Sequence, residues 1–334
     1  MPKTNHVFRF LAVCIFTASF APITYAQGKH TFDSSYYVTF PDKLILRLYL
    51  SRKFAPFTIS SSNKEDLNYK TNSKLNLGAG FTYKIITINF SYGFNFLNKD
   101  KGRGDTKGLD LQLHIYPRKW AVDLLGSFLK GYYLDPKANN GLALNDYYKR
   151  PDLHRNIVGL SLYRVFNSDE FSYRAALNQK DWQTKSAGSF LFGGETYYGI
   201  VKADSALVPS KAGSNYTQAG IGKINFFSIG PGIGYAYTLV ISRHMFLTGS
   251  ATGSLNFNIS SEQNSGAKNS KVKVIPGGNY KAAIGYNSST WSVSATLLGN
   301  ALYAASEASS KEYFLPTGSV NLVVAKKIGM KRNR

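Results

Sequence analysis

Ile86–Phe96 reads ITINFSYGFNF. Ile86, Ile88, Phe90, Tyr92, Phe94 and Phe96 fall on one parity, and Thr87, Asn89, Ser91, Gly93 and Asn95 on the other. Alternation of this kind is the period of a β-strand with one apolar and one polar face. The stretch is longer than the five or six residues usual in globular sheets. It matches the roughly nine to eleven tilted residues that carry a strand across a bilayer. Large apolar residues on one face and small polar ones on the other fit lipid outside and a polar interior.

The same pattern recurs along the chain. Leu44, Leu46, Leu48 and Leu50 alternate with Ile45, Arg47, Tyr49 and Ser51. Leu75–Tyr83, Leu109–Tyr116, Trp120–Leu134, Val158–Leu162, Ser186–Ile200 and Gly232–Ile241 read as strands, and Phe171–Asn178 as a further candidate. Leu247–Asn258, Tyr280–Tyr286, Trp291–Leu297 and Leu315–Ile328 continue the series. The polar stretches at 60–74, 98–106, 135–154, 201–221, 260–270 and 303–312 read as long connections. Lys84-Ile85, Pro117-Arg118-Lys119, Ser242-Arg243 and Asn287–Ser289 read as short turns. Long connections alternating with short turns are the layout of an outer-membrane barrel. Taking Arg155–Asn178 as one irregular element predicts an antiparallel transmembrane β-barrel of about twelve strands, with 10 to 14 as the range. Its long loops lie outside and its short turns and both termini in the periplasm. The competing architecture is a soluble all-β sandwich, which also alternates. No stretch has the period of an amphipathic helix.

Composition is compatible with this. The 334 residues are 43% hydrophobic with a mean hydropathy of −0.20, too polar for a helical membrane protein but not for a barrel. Aromatics make up 14%, with 23 Tyr and 22 Phe, residue types that suit membrane–water girdles. The net charge of +21 points to anionic partners. With export expected, these are lipid head groups or polysaccharide rather than nucleic acid; solvated basic loops are the plainer reading.

Residues 1–26 have the form of a signal peptide, leaving 27–334 as a single domain. Lys3 and Arg9 precede an apolar run from Phe10 to Phe20, and Thr24-Tyr25-Ala26 offers small residues for cleavage before Gln27. Cys14 is the only cysteine, so the cleaved chain has neither disulfide nor thiolate chemistry. A lipoprotein site at Cys14 would need a smaller residue than Val13 before it.

Three sequence pieces carry a resemblance: Phe166–Gly199 (FNSDEFSYRAALNQKDWQTKSAGSFLFGGETYYG), Asp110–Leu134 (DLQLHIYPRKWAVDLLGSFLKGYYL) and Pro231–Thr238 (PGIGYAYT). Together with GFTYK at Gly80–Lys84, they resemble a family from Gram-negative Bacteroidetes, the domain of unknown function numbered 4421. The resemblance spans nearly the whole mature chain. It implies an outer-membrane β-barrel and brings no catalytic residues. The ending Lys331-Arg332-Asn333-Arg334 departs from the aromatic terminus common in outer-membrane proteins.

Candidate chemistry is sparse. Asp110, Gln112 and His114 share the polar parity of one strand and form a possible lumen cluster. It reads either as a base with a carboxylate orienter or as an interior hydrogen-bond network, and the network is preferred because polar groups inside a barrel must pair. Tyr216-Thr217-Gln218 with Gly220 matches outer-membrane phospholipases at one point, but their His-x-Ser pair is missing. No catalytic residue, cofactor site or metal motif is assigned. Asn98–Thr106 has too few carboxylates for calcium. Gly230, Gly232 and Gly234 suggest close backbone packing or a strand bend. Arg174, Gln179, Lys180, Asp181, Trp182 and Lys185 read as a turn with an interfacial Trp, or as a glycan contact.

The expectation is a monomeric, non-enzymatic outer-membrane barrel with a structural or passive-transport role. Its partners are outer-membrane lipids, including anionic head groups, and the barrel-assembly machinery. The alternatives are a membrane-embedded lipid-modifying enzyme and a barrel that binds glycan or protein through its loops. N-terminal sequencing of membrane-extracted protein should begin at Gln27; an intact Met1, or a lipid-bearing Cys14, would contradict the leader assignment.

Overall fold

The computed structural model describes residues 32–329 except 62–64, 84–85, 99–101, 137–145 and 265–266, and leaves the side chains of 86–89, 95, 110, 112, 213–214 and 267 undescribed. The leader Met1–Ala26, the Lys84-Ile85 turn and the Lys331–Arg334 end therefore lie outside the described residues.

Twelve strands form one antiparallel sheet: β1 (Lys43–Phe54), β2 (Leu75–Tyr83), β3 (Ile86–Tyr92), β4 (Lys107–Ile115), β5 (Trp120–Leu134), β6 (Tyr148–Val165), β7 (Ala187–Lys202), β8 (Ile221–Val240), β9 (Met245–Asn264), β10 (Ala267–Asn287), β11 (Trp291–Ala301) and β12 (Thr317–Gly329). Each strand pairs with its neighbour in sequence, and β1 pairs with β12 from Lys43↔Gly329 to Phe54↔Gly318. The exception is β3 and β4, the free edges of the sheet. They approach each other, but among the described residues no ladder joins them.

The sheet curls. Lys281 on β10 reaches Asp123 on β5, five strands away. At about 4.8 Å per strand a flat sheet would hold them more than 20 Å apart. The two inner faces must therefore look at each other.

Its faces are inverted relative to a water-soluble protein. On β9, Leu255 and Phe257 are 61% and 59% exposed, while Ser254, Asn256 and Asn258 are buried. On β8, Ile233 is 67% exposed and Ser228 is buried. A sandwich core would show the opposite assignment. All three tryptophans lie near the short-turn end: Trp120 opens β5, Trp291 opens β11, and Trp182 stacks on His244 beside the β8–β9 turn.

Several boundaries differ from the sequence pattern. β3 stops at Tyr92, and Asn95–Leu97 is a short 3₁₀ turn. The reason is local. Asn98 Oδ1 accepts from Leu75 N at 2.7 Å, and its Nδ2 donates to Leu75 O and Phe94 O at 3.0 and 2.8 Å. One carboxamide replaces the ladder rung that Phe94 would have made. Phe94 and Phe96 keep the alternation in sequence but pack on each other outside the strand. Residues 260–264 and 267–270 extend the β9–β10 hairpin rather than forming a loop. Tyr148–His154 begins β6.

The largest difference lies at 166–186, on the side of the short turns. Phe171–Asn178 is not a strand, and Arg155–Asn178 is not one element. β6 ends at Val165, and helix α1 (Tyr173–Leu177) follows. Asp181–Gln183 then pairs with Tyr37–Thr39. At the other end, Phe57–Ile59, Leu67–Tyr69, Tyr303–Ala304 and Tyr313–Phe314 form a small second sheet. Phe57 stacks on Tyr69, and Leu207, Val208 and Tyr216 close over the same core.

The face assignment has a direct test. Ile233→Arg should cost about 2–4 kcal/mol in vesicle-refolded protein, because it puts a guanidinium at mid-depth of the apolar band. Gln263→Arg, on the outward face of β9 beyond that band, should cost less than about 1 kcal/mol. Denaturant titration in vesicles measures both, and equal losses would mean the outer face does not meet lipid.

Candidate functional site in the sheet interior

The inner face holds a chain of carboxylates, each fixed by donors from distant elements. The first, Asp181, belongs to the plug at the short-turn end. Its Oδ2 accepts from Ser172 Oγ at 2.5 Å and from Arg174 Nε at 2.9 Å. Burial raises its pKa above the usual carboxylate value, and Arg174 opposes the shift. Asn287 Nδ2 donates to Ala175 O and Asp181 O, both at 3.0 Å, and Lys327 Nζ donates in turn to Asn287 Oδ1. Arg47 on β1 donates to Thr82 Oγ1, Gln179 Oε1 and Asn178 O. Gln179 has a left-handed backbone, φ 54°. It ends α1 where a glycine is usual, and Arg47 grips the peptide just before it.

The second carboxylate is Asp123 on β5. Its Oδ1 meets His114 Nδ1 at 2.6 Å and accepts from Tyr116 OH at 2.8 Å; its Oδ2 accepts from Lys281 Nζ. Tyr173 of α1 stacks on Tyr116 and shares a 2.6 Å hydrogen bond with Ser250. The Lys281 ammonium lies 5.4 Å from each of these two rings, within cation–π range.

Glu195 on β7 comes next. Ser254 Oγ and Asn256 Nδ2 donate to Oε1, and Asn279 Nδ2 donates to Oε2 at 2.7 Å. Beyond it, Glu262 accepts from Ser306 Oγ and Tyr313 OH at 2.7 Å each and from Ala308 N at 3.1 Å. Arg155, fully buried, donates from Nη2 to Leu315 O and Pro316 O. The outer cap is thereby tied to the sheet by one acid and one base.

β9 is the spine of this arrangement. Ser250, Thr252, Ser254, Asn256, Asn258, Ser260 and Glu262 point inward at successive alternate positions and touch α1, Asn279, Glu195 and the 302–316 connection in turn. Gly232 on β8 leaves room for Tyr163, whose hydroxyl would lie 2.4 Å from an added Cβ. Among the described residues, two cavities of about 10 Å³ lie within this arrangement. One lies beside Tyr197 and Asn256, the other beside Lys281 and Tyr173. Each is about one water in size.

The sequence-predicted cluster is only partly within the described side chains. His114 faces the interior and pairs with Asp123. Asp110 and Gln112 occupy β4 opposite Ser127 and Leu125, and their side chains lie outside the described residues. Asp123, Lys281, Tyr116 and Glu195 were not singled out in the sequence; Tyr116 and Asp123 meet across a short turn that carries no motif, and the partners of Lys281 and Glu195 are scores of residues away. In the Arg174–Lys185 segment, Lys180 Nζ donates to Pro41 O and Lys43 O, and Trp182 Nε1 to Arg243 O. In the phospholipase-like stretch, Tyr216 OH donates to Glu65 O and Gln218 Nε2 to Ser60 O. Among the described residues no three His, Cys, Asp or Glu gather as metal ligands.

The profile of one family, described as Domain of unknown function (DUF4421), matches residues 31–325. No curated protein matches the chain. Among solved structures the chain is similar to the outer membrane protease OmpT from Escherichia coli, at 9% identity over 87% of this chain and 98% of that one, with a TM-score of 0.38. It is also similar to the P. putida toluene transporter TodX, at 9% identity over 88% and 92%, TM-score 0.23. Neisserial surface protein A follows at 11% over 86% and 97%, TM-score 0.21. At such values neither a protease nor a transporter activity transfers to this chain.

Asp123→Ala removes the carboxylate shared by His114, Tyr116 and Lys281 and leaves a buried ammonium unpaired. Such a change should cost about 3–5 kcal/mol. Adding Lys281→Met should restore much of the loss. Urea titration of refolded protein measures both; a double variant no better than the single would show that the ion pair is not what the site depends on.

Proposed function

The chain belongs to the family described as Domain of unknown function (DUF4421), and we propose that it is a sealed, structural outer-membrane β-barrel rather than a pore. In this reading β3 and β4 pair in the bilayer to close twelve strands. The apolar outer face meets lipid, the long connections face outward, and the short turns face the periplasm. The protein acts as a monomer inserted by the barrel-assembly machinery.

One observation carries the reading: among the described residues, both ends of the curl are covered and a buried polar network spans the space between them. The plug 166–186 occupies one end, the small sheet and the 203–220 connection cover the other, and the acid-centred network lies between them. Voids the size of one water do not pass solutes. The enzyme reading finds less support. The cavity beside Lys281 has no room for a lipid.

Planar-bilayer recording of the refolded protein tests this. The wild type should give no steady conductance. Replacing 167–185 with a short Asn-Gly turn should open conductance steps, if the variant still shows heat-modifiable mobility. A stable ohmic current from the wild type would favour passive transport instead.

A further inference from the structure

The strand registers place a row of basic side chains across the outer face. Lys107 on β4 pairs with Lys130 on β5, and Lys130 with His154 on β6. His154 pairs with Lys202 on β7, and Lys202 with Lys223 on β8. Lys223 pairs with Gln263 on β9, and Gln263 with Lys268 on β10. Lys130 shares the parity of exposed Phe128, Lys202 that of exposed Tyr198, and Lys223 that of exposed Phe227. All three therefore face away from the interior.

The row has a fixed place relative to the apolar band. Four residues nearer the short-turn end, the same registers give Leu111, Gly126, Val158, Tyr198, Phe227, Ile259 and Val272. The basic row thus borders the apolar surface on the side of the long connections. Aromatic residues just beneath it suit a head-group boundary.

Such a row works against the fold if nothing covers it. Directly opposed side chains on antiparallel strands lie about 4.5–5.5 Å apart, and like charges there repel. The carboxylates whose charge reaches His154 are Asp204 and Asp152. Asp152 is already held by Arg150, with Nε–Oδ1 and Nη2–Oδ2 both 2.9 Å, and it also accepts from Asp204 N. Among the described residues, no ion pair brings a carboxylate to Lys107, Lys130, Lys202 or Lys223.

We propose that this row, centred on Lys130, His154, Lys202 and Lys223, is a binding site for the head-group phosphates of an anionic glycolipid in the outer leaflet. The argument is charge complementarity joined to position. Phosphates at the top of the acyl layer stand where the cations stand, and the apolar strip beneath takes the acyl chains. The proposal rests on the barrel reading and adds to it the class of lipid and the residues that hold it.

The test uses full-length mature protein refolded into phosphatidylcholine vesicles with or without lipid A, with binding read by titration and folding by unboiled gel mobility. Wild type should bind lipid A in a salt-sensitive manner while remaining folded. Lys130→Gln/Lys202→Gln/Lys223→Gln should bind on the order of 100-fold more weakly, at about fivefold per lysine near an anionic surface, with unchanged gel mobility. Lys119→Gln/Lys326→Gln, at the opposite end, should bind as wild type does. Inorganic phosphate at millimolar concentration should not compete; full competition would identify a free-anion site and overturn the lipid assignment. Equal binding by the triple variant, or an equal loss in the control, would also overturn it. If the triple variant loses its folded mobility, salt dependence and phosphate competition on the wild type decide alone. Failure of the wild type to insert at all would remove the barrel reading and this site with it. Insertion without lipid A binding removes this site only.

Discussion

A carboxylate taken out of water must find donors, and this interior contains Asp181, Asp123, Glu195 and Glu262. The cost of leaving such a group unpaired runs to several kcal/mol. That cost determines what the rest of the chain can do. Asp123 is satisfied only if β4, β5 and β10 converge, since His114, Tyr116 and Lys281 come from those strands and the turn between two of them. Glu195 needs β7, β9 and β10. Glu262 needs the 302–316 connection folded back over β9. Curvature, plug and cap are thus held in one linked set of hydrogen bonds, whereas the apolar outer face only requires a low-dielectric surrounding.

The sheet was legible in the sequence because its outer face repeats at period two. Leu247 to Phe257 alternate with Thr248 to Asn258, and both parities face as expected. Strand ends were less legible. The pattern of Ile86–Phe96 runs past Tyr92, yet one Asn98 side chain takes the hydrogen bonds that the continued strand would use. At 260–270 polar composition imitated a loop, because beyond the apolar band a hairpin no longer needs apolar residues on either face. The segment 166–186 was unreadable for a different reason. Its helix is five residues long, too short for a period, and it is held by Arg47 on β1 and Asn287 on β10.

The interior also shows why, of the residues around Asp123, only His114 was visible. A histidine on a polar parity stands out in any barrel strand. Its acceptor Asp123 lies across a four-residue connection, and Lys281 arrives from more than 150 residues away. Nothing local distinguishes Asp123 from a solvated aspartate, or Lys281 from the many other cations of a chain with net charge +21.

Size distribution on the two inner faces completes the picture. The large rings come from one side of the curl: Tyr116 after β4, Tyr163 on β6, and Tyr197 on β7. The opposite side offers Ser250, Ser254 and Asn256 on β9 and Gly277 on β10. Glycine at 232 lets the Tyr163 hydroxyl approach the strand it faces, and the Ser250 hydroxyl receives the ring of Tyr173 from the plug. Small polar residues opposite bulky aromatic ones fill space as a core does, and many of them are hydrogen-bonded across the curl, as Ser250 is to Tyr173 and Ser254 to Glu195. A lumen meant for solutes would keep large polar groups apart around water. Among the described residues the aromatic and small-polar faces interlock, so side chains as well as backbone ladders hold the curl.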